Sequence, residues 1–390
     1  MKRIFIGIIC LLACVSSYSQ AGKPIASVDS VAALVARNTI PDERVILTGW
    51  RTNGDFGAHR ILRHVPDSVA ATNLGCVFDS FTNGRYVADD CESGEVDVRW
   101  FGADQSGTLG SSDAIQAAID YSSNSVVRIP VGVFLIDSTL LVTNPVVIRG
   151  DDRAHTEITP SEFKSTLKAA DGLNAPIISA TSQLKIEGIG FDGNRDNQTS
   201  FTGNGLVELI GGDVFLECHL SDVIVSESVT NAIYVYRHEV QAENVKTMYN
   251  DGDGWRFGAG IADGDIAFGD MSLRSIQSGF NKGWGINFQK ISSIRGYNVD
   301  SYQNNAGGVR LARSSESRFY GLQCDLNGGH GLKFEQTLSR IKRLTQESDE
   351  VYSKIILCES PRNFEENAFK LTMSNHLTTL EILDGELAVS

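Results

Sequence analysis

The chain has 390 residues, with 48 Asp and Glu against 34 Lys and Arg and a formal net charge of −14. So acidic a balance argues against nucleic acid as a partner, because phosphate binding draws on clustered Lys and Arg. Beyond the N-terminal apolar run no segment approaches the roughly 20 apolar residues that cross a bilayer, so no membrane span is expected.

Residues 1–19 read as an export signal: Lys2-Arg3, an apolar run from Ile4 to Val15, then the small residues Ser17 and Ser19 before Gln20. Its removal takes the formal net charge from −14 to −16 and places the mature protein in the secreted, periplasmic or outer-surface space. Leu11-Leu12-Ala13-Cys14 is similar to a lipobox, which would make Cys14 a lipidated first residue; both forms of processing stay open. Residues 20–97 form a small N-terminal cap or subdomain, with one short helix from Val28 to Arg37, a β-run at Val45-Ile46-Leu47 and turns at Gly54 and Gly57. Cys76, Cys91, Cys218, Cys324 and Cys358 follow the signal, an odd number that leaves at least one thiol unpaired. Cys76 and Cys91 are the pair close enough in sequence to consider as a disulfide. The other three sit in β-type runs and read as core filler.

From Val96 the text changes. Ser112 is a good helix N-cap with Asp113 in the first turn, and Ala114, Ile115, Ala118 and Ile119 fall on one face. Strands follow at Val126 to Ile129, Val133 to Ile136 and Val146 to Ile148. An amphipathic helix laid over first strands closes the apolar end of a repeat stack.

Further on, the pattern Asn, three residues, Gly, then apolar-x-apolar recurs four times: Asn250 with Gly254-Trp255-Arg256-Phe257, Asn281 with Gly285-Ile286-Asn287-Phe288, Asn304 with Gly308-Val309-Arg310-Leu311, and Asn327 with Gly331-Leu332-Lys333-Phe334. Successive glycines are 31, 23 and 23 residues apart, the period of one supersecondary unit. Weaker units stand at Asn204-Gly205-Leu206, Asn231-Ala232-Ile233 and Asn367-Ala368-Phe369. The intervening text is short β-type runs broken by Asn, Asp, Ser and Gly, with no sustained helical period. The expected fold is therefore all-β, a right-handed parallel β-helix over residues 98–390, with the four asparagines stacked at one turn. In such a stack equivalent residues lie about 4.8 Å apart, close enough for asparagine side chains to bond one another.

The run Val98-Arg99-Trp100-Phe101-Gly102-Ala103, the helix after it, Val127-Arg128-Ile129-Pro130-Val131-Gly132-Val133-Phe134 and Val147-Ile148-Arg149-Gly150 resemble the opening of the pectate-lyase-superfamily β-helix shared by secreted bacterial polysaccharidases and phage tailspikes. Gly49 to Gly57 likewise resembles the segment preceding such domains. The resemblance covers roughly residues 30 to 375 and implies a polysaccharide as substrate. It leaves lyases, hydrolases and catalytically silent stacks open. Gly329-His330-Gly331, Asp251-Gly252-Asp253-Gly254 and Arg340-Ile341-Lys342 are similar to polygalacturonase motifs. The paired aspartates of that family are absent, and Asp253 and His330 fall three coils, about 14 Å, apart. For hydrolysis by two carboxylates flanking one bond, only Asp251 and Asp253 are on offer.

In the repeat the apolar residues point inward and the residue between them outward, giving an outward column Val207, Tyr234, Arg256, Asn287, Arg310, Lys333 and Lys370. Stacked cations on an acidic chain call for compensation, and carboxylates of a polyanionic glycan would supply it. Arg256, Trp284, Asn287 and Lys370 are the expected substrate contacts. A second column presents Asp253, Trp284, Gly307 and His330: an acid, a sugar-stacking ring, an open floor and a base. The expected activity is β-elimination on a uronic-acid-containing glycan, with His330 as base, Arg310 and Lys333 neutralising the carboxylate, Asp253 beside them, and a tyrosine such as Tyr302 or Tyr320 as acid. His330, Arg310 and Lys333 are expected within about 5 to 8 Å of one another by strand spacing. Either no cofactor is needed or Asp251 and Asp253 hold Ca²⁺, as metal-using lyases of the resembled superfamily do. The alternatives are a polygalacturonase-like hydrolase and a glycan-binding β-helix without catalysis.

Overall fold

The computed structural model describes residues 25–55, 59–151, 164–211, 216–258, 268–312, 314, 317–335, 344–346, 356–357, 368–374, 377–383 and 388–389. The signal segment with Cys14, residues 259–267, Arg340-Ile341-Lys342 and Cys358 lie outside them. Two compact units result: one runs to Ser93 and takes in Arg99–Gly102, the other comprises Gly94–Val98 and the chain from Ala103 on.

In the first unit, Ala26–Val28, Arg44–Leu47, Arg60–Val65, Arg85–Ala88 and Val77–Asp79 form a five-stranded sheet in that order. The helix is shorter than expected, Val31–Ala36, because Ser30 caps it by accepting from the Ala33 N–H at 3.2 Å. Leu34, Val45, Leu47, Leu62, Phe78 and Tyr86 make the core. Arg60 is buried with them, bonded to Asp90 at 2.6 and 3.0 Å and to the Gly75 carbonyl, with its guanidinium 4.2 Å from the Trp100 ring centre. That set of partners offsets the cost of burying its charge. Cys76 and Cys91 are bonded as a disulfide across 15 residues. A loop of that length constrains the unfolded chain by about 3 kcal/mol. Cys91→Ala should therefore lower the unfolding free energy of this unit by about that amount, and an unchanged midpoint in chemical denaturation would refute the estimate.

The second unit is a parallel β-helix. Its shorter sheet stacks Leu140–Val142, Ile178–Ala180, Gly205–Ile210, Asn231–Tyr236, Trp255–Phe257, Trp284–Gln289, Gly307–Ala312, His330–Glu335 and Ile356–Leu357. Ile233, Trp255, Ile286, Val309 and Leu332 are register partners in turn, so successive coils take 22, 31, 23 and 23 residues. The apolar-x-apolar steps point inward as expected: Trp255, Phe257, Ile286, Phe288, Val309 and Leu311 are fully buried. Phe257 and Phe288 stack at 4.7 Å from coil to coil. The helix Ser112–Tyr121 buries Ile115, Ala118 and Ile119. Its N-cap is Ser111, not Ser112, whose hydroxyl instead accepts from the N–H groups of Asp137 and Ser138 at 2.9 and 3.0 Å. No helix among the described residues is long and apolar enough to cross a membrane.

The four asparagines form the expected ladder. Asn250, Asn281 and Asn304 each donate Nδ2–H to the Oδ1 of the next, the last to Asn327, at 2.8, 2.9 and 3.1 Å. Each of those Oδ1 atoms also accepts the backbone N–H of the asparagine below, at 3.2, 3.1 and 2.9 Å. The residue before each turn, Glu227, Tyr249, Phe280, Gln303 and Leu326 in order, holds a positive φ between 48° and 58°. Such a conformation costs a non-glycine residue on the order of 1 kcal/mol, and the ladder bonds hold the turn in place against that cost.

Two register expectations are corrected. Gly205 pairs with Asn231, so Glu208, not Val207, precedes Tyr234 in the outward column. The weak unit at Asn204 is one residue out of step, since the Glu208 carboxylate takes the Asn204 N–H at 2.5 Å and fixes a different turn. Lys370 is not in the column either. Lys333 pairs with Ile356, whereas Ala368–Ser374 runs antiparallel to Leu377–Leu383 in the other sheet, with Lys370 opposite Glu381. An antiparallel pair thus interrupts the parallel pairing expected through residue 390, although Lys370 and Leu371 pair in parallel with Ala388 and Val389.

Candidate functional site

The outward column is Glu208, Tyr234, Arg256, Asn287, Arg310 and Lys333. Its middle is closed by internal bonds. The Asp253 carboxylate accepts from the Trp284 N–H and the Asn287 amide at 2.7 Å each and from Arg256 at 3.3 Å. Asp253 is 6% exposed and Asn287 1%. Asp253 is therefore occupied in holding the turn, and Asn287 in holding Asp253. Both side chains are thus engaged with the chain itself at the positions expected to meet a substrate. Arg256 also donates to the Gln289 side-chain oxygen, Oε1, at 3.4 Å. Local spacing could not show this, because two of the three donors to the Asp253 carboxylate, Trp284 and Asn287, come from the next coil.

Trp284, Gly307 and His330 are register partners, as are Arg310 and Lys333 three residues further along the same strands. Gly307 has φ +157°, and a Cβ there would lie 2.2 Å from Trp284 Cζ3, so the indole lies across the glycine. The open floor is thus a seat for the Trp284 ring, with half-buried His330 on the next strand. Gly307→Ala should displace the ring and shift Trp284 fluorescence, and an unchanged emission spectrum would contradict this seating. Adjacent-coil spacing fits Arg310 with Lys333. His330 stands three residues from Lys333, about 10 Å along the backbone, so the expected 5 to 8 Å does not hold for that pair, and the side chains must span the difference. Tyr302 and Tyr320 lie on the other sheet, where Tyr320 stacks on Tyr297. They do not join His330.

Asp251 does not pair with Asp253 as a calcium site. Its Oδ1 takes Lys282 at 2.8 Å and Arg195 at 3.3 Å, while both Asp253 oxygens take N–H donors. Calcium needs six to eight oxygen ligands, and this surrounding of cations and donors does not fit it.

The sequence reading missed a groove of 460 Å³ lined by Thr166, Lys168, Asp192, Asn194, Arg195 and Glu227 among others. Asp192 ends the strand Gly190–Asp192, paired with Ser226, and Glu227 follows directly. Asp192 accepts the Asn194 N–H at 2.8 Å and lies 3.6 Å from Lys168 Nζ. Arg195 spans the floor, bonding Glu227 at 2.9 Å, the Tyr249 carbonyl at 2.7 Å and Asp251 at 3.3 Å. Burial pushes the Glu227 carboxyl above its ordinary value; Arg195 opposes this, and the charges of Asp192, Asp196 and Asp251 add to it. The two carboxylates are 35 residues apart in sequence and precede the first strong repeat, so only the register brings them together.

No family model and no curated protein matches the chain. Among solved structures it is similar to Pantoea stewartii WceF, a glycan biofilm modifying enzyme with a bacteriophage tailspike-like parallel β-helix fold, at TM-score 0.58 and 15% identity over 90% of this chain and 56% of that one. It is also similar to full-length tailspike protein 2 from the Escherichia coli O157:H7 bacteriophage CAB120, at TM-score 0.57 and 14% identity over 86% and 48%. A third likeness is to tailspike protein gp49 from Acinetobacter baumannii bacteriophage Fri1, a capsular polysaccharide depolymerase, at TM-score 0.51 and 10% identity over 79% and 69%. The chain spans about half the length of the first two. At these identities the likeness establishes the fold.

Proposed function

We propose that the chain is an exported glycan-active enzyme that takes an anionic, uronic-acid-containing polysaccharide across Trp284, His330, Arg310 and Lys333 and cleaves it by β-elimination. The observation that carries this reading is the alignment of an aromatic ring, an imidazole and two cations on three neighbouring strands of one sheet. It is supported by the fold shared with a glycan biofilm modifying enzyme and a capsular polysaccharide depolymerase. Elimination needs a base for the C5 proton, positive charge on the carboxylate, which makes that proton more acidic, and a proton for the leaving glycosidic oxygen, which solvent water supplies as the bond to C4 breaks. His330 is the base, and Arg310 and Lys333 hold the carboxylate. Trp284 carries the sugar ring, and Trp284→Ala should weaken glycan binding about tenfold, the loss of one stacking contact.

The test is to incubate the protein with a panel of uronic-acid polysaccharides and follow the absorbance of the unsaturated product. Its appearance supports elimination. Reducing ends without it point to hydrolysis, and binding without either points to a non-catalytic β-helix.

A further inference from the structure

Building on the uronate site proposed above, we infer that the uronate met by Arg310 and Lys333 sits between uncharged sugars, so that the glycan taken by this column is a heteropolysaccharide without adjacent uronates. The order of side chains along the outward column points to this, because it supplies cations for one carboxylate and then stops.

By register the column reads Glu208, Tyr234, Arg256, Asn287, Arg310, Lys333 and Ile356. Neighbouring positions lie about 4.8 Å apart, a step close to the advance of one linked sugar. Arg310 and Lys333 can therefore meet the two oxygens of a single carboxylate, a guanidinium on one and an ammonium on the other. On one side the next position is Ile356, an apolar residue. On the other it is Asn287, which carries no charge, is 1% exposed and bonds Asp253 at 2.7 Å. The next cation on that side, Arg256, stands two coils from Arg310 and already lies 3.3 Å from the Asp253 carboxylate.

The column that holds Trp284 agrees. The Trp284 N–H donates to Asp253 Oδ1 at 2.7 Å, so a sugar on the indole meets an aromatic face with a carboxylate on the adjacent coil. A uronate there would lose water against the ring, gain no cation of its own and face a like charge. A sugar bearing only hydroxyl or acetamido groups gives up no charge solvation and keeps its contact with the ring. The sugars adjoining the bound uronate fall on these uncharged positions, so a carboxylate on either is disfavoured. Asp253 and Asn287 thus act on specificity through the charge they set beside Trp284, and not as catalytic residues.

The experiment measures binding by calorimetry and elimination by absorbance for the full chain on two sets of glycans. Polygalacturonate and alginate have adjacent uronates; in hyaluronan and chondroitin the uronates alternate with N-acetylated sugars. The alternating set should bind about tenfold more tightly, the penalty for one carboxylate desolvated without a partner, and should show a kcat/KM higher by a similar factor. Asp253→Asn removes the carboxylate beside Trp284 and with it the charge that offsets Arg256, so the preference should shift toward the homopolyuronates. A merely structural role for Asp253 would weaken binding of both sets alike. Circular dichroism and thermal midpoints establish that the variant is folded; if it is not, the wild-type series decides. Equal or tighter binding of the homopolyuronates by the wild type, or binding of neither set, overturns the inference. So does an unchanged preference in folded Asp253→Asn. Absence of unsaturated product while the alternating set is still preferred in binding removes elimination and leaves the substrate class standing.

Discussion

Asn281→Ala should destabilise the β-helix by about 3 to 5 kcal/mol, from orphaned ladder bonds together with the cavity left behind. Asn281 is fully buried. Its Oδ1 accepts the Asn250 backbone N–H at 3.2 Å and the Asn250 amide at 2.8 Å. Its own amide serves the Thr247 carbonyl, the Ser278 hydroxyl and Asn304 Oδ1. Alanine leaves the Asn250 N–H without an acceptor in a dry turn and opens a cavity, and an orphaned buried group costs about 1–3 kcal/mol. Because each coil is stabilised by its neighbours, the loss should also appear as faster hydrogen exchange at Asn250, Asn281 and Asn304. Asn281→Asp sharpens the test. An ionised carboxylate keeps the acceptor role but faces Asn304 Oδ1, another acceptor. Its folded pKa is then raised above the unfolded value, so the penalty is present at neutral pH and relieved as pH falls through the folded pKa. Urea midpoints measured at neutral pH and near the carboxylate range would show this. Equal destabilisation of the Asp variant at both would mean the ladder is not what the turn depends on.

The ladder was legible in the sequence because every coil solves one problem with the same residues. An asparagine must serve the N–H below it, and a small residue must follow where the chain bends; Gly254 and Gly285 leave no room for a Cβ against the serine and threonine hydroxyls of the facing sheet. The inward and outward assignment of Trp255, Phe257, Ile286 and Phe288 followed from the two-residue period, and the Cys76–Cys91 bond from proximity. What the sequence hid were properties of the space between coils. Asp253 reads as an available acid until the Trp284 N–H and the Asn287 amide, 31 and 34 residues away, are seen to saturate it. Asn287 occupies an outward position and is still buried, with its amide bonded to Asp253 and its side-chain oxygen accepting from Gln289. Asp192 and Glu227 belong to coils whose turns differ in length, so no repeat pattern points to them. The slip at Gly205 has the same origin: a glutamate side chain, not an asparagine, closes that turn.

Arg310→Ala and Lys333→Ala should each reduce elimination on a uronic-acid glycan by on the order of 10²-fold or more, the loss expected when one charge stabilising a developing anion is removed. Folding should change little, since the two cations are register neighbours in a partly exposed column and each substitution removes a like-charge contact. The kinetic signatures of the cations and of His330 should differ. A cation that holds the carboxylate contributes to both substrate and transition state, so its loss should raise KM as well as lower kcat. His330→Ala should leave glycan binding nearly intact and lower kcat alone, since a proton-transfer group acts mainly in the transition state. The backbone separation of His330 from Lys333, about 10 Å, adds a further condition. If the imidazole takes the proton α to the carboxylate that Arg310 and Lys333 neutralise, these side chains must converge on one sugar residue. Lys333→Arg, with its longer reach, should then retain more activity than Lys333→Ala. Wild-type turnover in the Arg310, Lys333 and His330 alanine variants would remove the column from the chemistry and leave it as a charged face of the β-helix.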